Sequence, residues 1–190
     1  MATAWQDGRV DDRALARAVL DGDRDAFRPL VEREALTVYR VCLRILDRPA
    51  DAEDVAQESL VIAYRSIHTY RGEGPLGAWL VRIATRQAYR RLAQRREAID
   101  LATVPDPPAT DTHTQPLGAA LAAERARELR RGVAALSDPY RETVALRFFG
   151  DLTLDEIARA TGRPLNTVKT HLRRGLERLR DQVGVGRRDP

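Results

Sequence analysis

Cysteine and lysine occur once each in these 190 residues, as Cys42 and Lys169, and the apolar alternation that builds strands is almost missing. Each shortage excludes something. One cysteine cannot form an intrachain disulfide, and Cys42 sits in YRVCLRIL, an apolar helical stripe where a thiol packs as a small hydrophobe. No basic N-terminal segment precedes an apolar run, and no stretch approaches the ~18 consecutive apolar residues of a membrane span, so a cytosolic chain without membrane insertion is expected. No valine, isoleucine or aromatic alternation is flanked by Asn-Gly or Asp-Gly, whereas apolar residues recur at three- and four-residue spacings nearly throughout. That pattern predicts an all-α fold.

At 43% hydrophobic and 32% charged, the chain can bury one modest core or two small ones. The formal net charge of +4 hides strong local segregation. Residues 79–96, WLVRIATRQAYRRLAQRR, hold six arginines and no acid, which raises the question of what neutralises them. Residues 97–116 hold four acids, four prolines and no lysine or arginine, which is linker chemistry. Two helical domains are therefore expected, over residues 10–96 and 117–184, joined by a flexible acidic linker.

Helix signals fill in the order. A first helix is predicted from Arg13 to Leu20, ending at Gly22, and a second from near Asp23 to Leu46, with Pro29 moving its start toward Arg28. The next begins around Asp51, and the loop YRGEGPLG precedes the arginine helix. Beyond the linker, Leu117–Leu136 reads as helical. Asp138 can cap a helix with Pro139 at its first position that runs to Phe149, and Gly150 closes it. Thr153 and Glu156 have capping-box spacing for a short helix ending at Gly162, and a last helix runs from Leu165 to Gln182. The literal G-x-G-x-x-G at Gly72, Gly74 and Gly77 is rejected as a nucleotide-binding fingerprint, because no strand precedes it.

Three surfaces emerge. The last two helices make a helix-turn-helix. Leu165, Val168, Leu172, Leu176 and Leu179 fall within about 80° of arc, leaving Asn166, Thr167, Thr170, Arg173 and Arg174 outward, with Lys169 and Arg178 placed for the backbone of duplex DNA. From Arg163 to Arg188 eight cations face two acids. His171 is expected to be a phosphate contact or a flank residue, with no second His or Cys at metal-ligand spacing. On the arginine helix, Leu80, Val81, Ala84, Ala88 and Leu92 face a core, while Trp79, Arg82, Arg86, Tyr89 and Arg90 cluster opposite. Rings among guanidinium groups suit unstacked bases and their phosphates, although burial of both rings is an equal alternative. On the helix DAEDVAQESLVIAYRSI, Asp54, Gln57, Glu58, Val61 and Tyr64 share a face opposite Ala52, Val55, Ala56, Ala63 and Ile67, a mixture suited to docking a basic partner protein.

DAEDVAQESLVIAYRSIHTYRGEGPLGAWLVRIATRQAYRRLAQRR resembles the second conserved region of bacterial RNA polymerase sigma factors of the extracytoplasmic-function group. ALSDPYRETVALRFFGDLTLDEIARATGRPLNTVKTHLRRGLERLR resembles their fourth. The resemblance implies a non-enzymatic initiation factor without cofactors, whose partners are core RNA polymerase through its beta-prime clamp and beta subunits, promoter DNA as duplex and single strand, and an anti-sigma protein. Asp51, Asp54, Gln57, Glu58 and Val61 would dock on the clamp. Tyr70, Arg71, Gly72 and Glu73 of the loop, with Trp79, Arg82, Arg86, Tyr89 and Arg90, would capture the melted minus-ten element. Asn166, Thr167, Lys169, Thr170, Arg173 and Arg174 would read the minus-thirty-five element, and the linker would thread the polymerase RNA channel. A polymerase-independent helix-turn-helix regulator is the alternative.

Overall fold

Asp11 opens the first helix, α1 (Asp12–Leu20). Its side chain accepts from the Arg13 amide at 3.0 Å, satisfying a donor that a helix start leaves without an intrahelical partner. The structure, a computed structural model, describes residues 11–102 and 117–185. After a 3-10 turn at Asp25–Phe27, α2 (Arg28–Leu46) begins with Pro29 in its first turn, where a missing N–H is harmless, and ends on Asp47 in the left-handed region at φ 59°. Helix α3 (Pro49–Ser66) also starts on a proline and continues into a 3-10 turn at Ile67–Thr69. A short loop then leads into α4 (Leu76–Ala102).

Helices α2, α3 and α4 pack on one another around Leu30, Val38, Val41, Cys42, Val55, Leu80 and Val81, all essentially inaccessible. Alanines at 52, 56, 63, 84 and 88 are buried in the same core, where their small side chains let the backbones approach closely. Burying each leucine of such a core contributes roughly 1.5–3 kcal/mol relative to leaving it exposed. Two hydroxyls share this interior. Ser59 donates to the Val55 carbonyl at 2.6 Å and Thr85 to the Val81 carbonyl at 2.9 Å, so neither leaves a stranded polar group.

The second lobe comprises α5 (Leu117–Ala135), α6 (Tyr140–Phe148), α7 (Leu154–Thr161) and α8 (Leu165–Val185). Among the described residues all regular elements are helical, as expected. Three boundaries differ from the expectations. Helix α4 continues to Ala102, into the stretch expected to be linker from residue 97; the remaining linker residues, 103–116, lie outside the described residues, as do Arg187 and Arg188. At α6 the Asp138 side chain accepts from Arg141 at 2.8 Å instead of capping, and Pro139 occupies the cap position. The last helix extends three residues past Gln182, to Val185.

Candidate nucleic-acid interface

Helix α4 buries Leu80, Val81, Ala84 and Ala88 and exposes Arg86 and Arg90, so its rotation follows the apolar pattern. Of the two alternatives left open for Trp79, the structure shows the buried one: the residue is 8% exposed. The helical angle was right, but the loop preceding α4 folds back over the first turn. Tyr70 lies 5.9 Å from the indole, centroid to centroid, with its rings tilted by 57°. Tyr89 is half-buried, with the Arg141 guanidinium 5.2 Å from its ring centroid and its hydroxyl enclosed without a hydrogen-bond partner. Burial pushes the phenol pKa up, so it stays protonated.

The loop holds Arg71 and Glu73 in solvent and Gly72 at φ 70°, a left-handed conformation that favours glycine. The Tyr70 hydroxyl donates to the Gly74 carbonyl, and burial, with Asp12 nearby, raises its pKa to about 12. Between loop and helix lies a polar cleft of about 300 Å³, lined on this side by Tyr70, Arg71, Glu73, Trp79 and Arg82. Its opposite wall comes from Arg159–Gly162 at the end of α7. A Cβ placed on Gly74 would lie 2.9 Å from that of Arg159, which shows how closely the wall approaches.

The two lobes pack against each other. Leu146, Leu152, Ile157 and Val168 of the second lobe join the same buried cluster as α2–α4. Gly150 comes so near α4 that a Cβ there would meet Val81 Cγ1 at 2.9 Å. Polar clasps flank the seam. Arg44 donates to the Phe149 carbonyl at 2.7 Å and to Asp151 at 2.6 Å, and Arg130 pairs with Asp47. At the centre, Arg82 Nε donates to Glu142 Oε1 at 3.0 Å and Nη1 to the Ala160 carbonyl at 3.1 Å. Arg163 Nη1 lies 2.8 Å from Glu142 Oε2 but makes no well-directed hydrogen bond, so that contact is an ion pair without N–H alignment. A second groove, of about 350 Å³, runs along the seam between Arg86, Tyr89 and Arg90 on one wall and Asp138, Arg141 and Glu142 on the other.

On α3, Asp54, Gln57, Glu58 and Val61 are exposed, Val61 by 48%, opposite buried Ala52, Val55, Ala56 and Ala63 and, in the turn beyond, buried Ile67. Two residues of the expected docking face turn elsewhere. Asp51 is half-buried with Arg91 Nε at 3.5 Å and Arg95 Nη1 at 3.9 Å, because α4 brings its cations alongside the α3 N-terminus. Tyr64 packs edge-on against Phe27 at 5.4 Å.

The helix-turn-helix forms from α7 and α8. Thr153 and Glu156 make the reciprocal capping box, at 3.2 Å to the Glu156 amide and 2.8 Å from the Thr153 amide, and Gly162 takes the left-handed turn at φ 68°. Val168 and Leu179 are buried and Leu165, Leu172 and Leu176 half-buried, as the stripe predicted. Asn166, Lys169, Arg173 and Arg174 are exposed, and Thr167 and Thr170 are half-buried. Thr170 donates to the Asn166 carbonyl at 2.9 Å, and Arg173 pairs with Glu177 at 2.7 Å. His171, expected as a phosphate contact or a flank residue, is half-buried. It stacks edge-on against Tyr140 at 5.6 Å with Nδ1 buried, and burial, then Arg163 and Arg174, lower its pKa.

Sequence reasoning missed Glu142, which reads as an ordinary first-turn acid, and the pair Asp12 and Arg13, which read as helix-start residues. It also missed Gly175, where α8 crosses α6 so closely that a Cβ would sit 2.8 Å from Val144 Cγ2. A glycine in mid-helix, disfavoured by about 1 kcal/mol against alanine, was the available signal for the last.

Residues 30–98 match the family model for Sigma-70 region 2, and residues 126–179 that for Sigma-70, region 4. The ECF RNA polymerase sigma factor SigW of Bacillus subtilis is 31% identical over 175 residues, covering 88% of this chain and 94% of the relative. The ECF RNA polymerase sigma-E factor of Haemophilus influenzae is 30% identical over 183 residues, covering 92% and 96%. In fold, the chain is similar to CnrH, solved with the cytosolic domain of CnrY, at a TM-score of 0.59 and 21% identity, covering 92% of this chain and 98% of that one. It is also similar to RpoE of Bartonella quintana, solved with the anti-sigma factor NepR, at a TM-score of 0.52 and 18% identity, covering 86% and 99%.

Proposed function

Because the chain belongs to the extracytoplasmic-function group of sigma-70 factors, transcription initiation factors that bind core RNA polymerase and direct it to promoters, we propose that its three surfaces divide that work. Residues 10–96 form the domain that docks on core polymerase and captures the melted minus-ten element, 97–116, whose first six residues prolong α4, the linker, and 117–184 the domain that reads the minus-thirty-five element. Asp54, Gln57, Glu58 and Val61 meet the beta-prime clamp, and Asp51 contributes through its ion pairs with α4. Nucleotide synthesis stays with the polymerase.

The observation that carries the reading is the wall that the loop and α4 contribute to the polar cleft, facing α7 of the second lobe. An aromatic pair forms its back and Arg71 and Arg82 its rim, which suits a base drawn out of the stack with its phosphates held outside. A regulator acting on duplex DNA alone has no use for such a cleft. Arg86, Tyr89 and Arg90 continue the track along α4, with Tyr89 acting as support beneath the arginines. In the second domain, Asn166, Thr167, Thr170, Arg173 and Arg174 face base edges and phosphates in the major groove, and Lys169 takes the backbone.

Reconstitution tests the assignment. Core polymerase with this chain should protect and open a promoter that neither protects alone, and the chain by itself should not footprint. Unaided protection of duplex DNA, with no stimulation of core, would favour the regulator instead. An anti-sigma protein is a further partner under this reading, and purification from native cells that yields only free or polymerase-bound chain would count against it.

A further inference from the structure

Helix α4 begins without a local cap. Gly74 and Pro75, the residues before Leu76, carry no side-chain acceptor, so a chain relying on its neighbours would leave the first amide of a 27-residue helix unsatisfied. Asp12 fills that place from 64 residues away. Its Oδ2 accepts the Leu76 amide at 2.7 Å, while its Oδ1 accepts from Arg33 Nη2 at 2.9 Å. Arg33 in turn donates to the buried Glu34 at 2.8 Å, which ties Asp12 into the interior of the lobe.

The next residue of α1 holds the other part of the loop. Arg13 Nε donates to the Gly72 carbonyl at 2.9 Å, and the loop lies so close to this arm that a Cβ on Gly72 would meet Nε at 2.8 Å. Adding the bond from the Tyr70 hydroxyl to Gly74, the segment between Tyr70 and Leu76 is fixed at three points. Two of the three come from α1.

We propose that Asp12 and Arg13 are positioning residues for capture of unpaired promoter DNA, with α1 setting the recognition loop and the start of α4 in their binding geometry before DNA arrives. The proposal rests on the assignment of that loop to the minus-ten element. A loop already ordered does not lose its freedom at the moment of binding, so affinity for the unwound strand depends on contacts that never touch it. Neither residue lies on the α3 face or on the helix-turn-helix, so their effect is confined to one of the three surfaces.

The test uses holoenzyme assembled from core polymerase and the full chain, carrying Arg13→Ala, Asp12→Ala or Asp12→Asn. Arg13 is exposed, so its truncation leaves the fold intact. Asparagine keeps an oxygen for the Leu76 amide while discharging the pair with Arg33. Two probes are titrated: a fluorescent single strand containing the minus-ten element and a duplex containing only the minus-thirty-five element. Arg13→Ala and Asp12→Ala should each weaken single-strand capture about tenfold, Asp12→Asn should recover most of the loss, and duplex binding and core assembly should not move. Single-strand affinity of Arg13→Ala within roughly twofold of the parent would overturn the proposal. So would proportionate losses at all three surfaces, which would make α1 a scaffold of the whole fold. Failure of the unmodified chain to assemble with core polymerase would instead bring down the functional assignment beneath it.

Discussion

Replacing Glu142 with glutamine keeps the shape of the side chain and one acceptor oxygen but deletes the charge that two arginines share. Glu142 is 8% exposed, and the side chains of Arg82 and Arg163 are 24% and 27% exposed, so water screens the cluster only in part. A hydrogen bond to a charged group contributes roughly 1.5–3 kcal/mol net. Arg82 keeps the Ala160 carbonyl at 3.1 Å, and the Arg163 contact is poorly aligned, so the clasp should lose about 2 kcal/mol and not the sum of two full bonds. The first turn of α6 also loses a favourable charge worth ~0.3–1 kcal/mol, but it loses it whether the lobes are packed or parted, so that part leaves their balance unchanged. A 2 kcal/mol loss shifts the balance toward parted lobes about 30-fold. Fluorophores on cysteines introduced at Glu53 and Arg180, both exposed, report the distance between lobes; Cys42, whose thiol burial pushes up to about 12, stays unlabelled. Energy transfer should fall in the variant. Added salt should move the parent chain the same way and the variant less, because the variant keeps the Arg44–Asp151 and Arg130–Asp47 pairs for salt to screen but not those of Glu142. Equal transfer in parent and variant at low salt, with both folded by circular dichroism, would refute the reasoning.

Arg82→Ala combined with Arg86→Ala should impair strand opening while leaving polymerase docking intact; unchanged open-complex yield on a duplex promoter, scored by permanganate reactivity, would contradict this. Gly175→Ala should destabilise the second lobe by about 1 kcal/mol in thermal melts, since overpacking against Val144 Cγ2 at 2.8 Å outweighs the helix propensity gained. His171, its pKa held below the ordinary 6.5 chiefly by burial, binds fewer protons folded than unfolded, so stability should be full above that value and decline as pH falls through it. His171→Gln should flatten the decline, as followed by melting temperature against pH.

Local rules carried far in this chain. The capping box at Thr153 and Glu156 and the stripe Val81, Ala84 and Ala88 depend only on neighbours within a few turns, and both are realised. Trp79 shows where such rules stop. Helical periodicity fixed the direction of its side chain correctly, but whether that direction meets solvent depends on a loop and on α7, which arrive from elsewhere in the chain. Asp51 and Glu142 were obscured in the same way, since both look like acids placed for the helix dipole, and only the packed structure brings Arg91 or Arg82 within reach. The cap that Asp12 provides for Leu76 spans 64 residues and leaves no trace in local composition beyond the lack of a nearer candidate.

The packed arrangement bears on the order of events under the proposed function. Elements centred at minus ten and minus thirty-five are about 25 base pairs apart, or about 85 Å at ~3.4 Å per pair, whereas here Arg82 and Ala160, from the two reading domains, are in hydrogen-bond contact. Both elements cannot be held at once until the lobes part. The fourteen residues 103–116 allow a span of at most about 50 Å between α4 and α5, and the lengths of those helices supply the rest. Parting needs a driving force with a preference. The α3 face is already exposed in the packed form, so docking there stabilises packed and parted lobes equally and moves nothing by itself. The force must come from groups that bind only what parting uncovers, and under the proposed function Arg82 is one: promoter phosphate would compete with the Glu142 carboxylate for the same guanidinium. Because that exchange trades one anion for another, its cost is small compared with baring an unpaired buried charge, and the acid keeps the arginine in place without foreclosing its use.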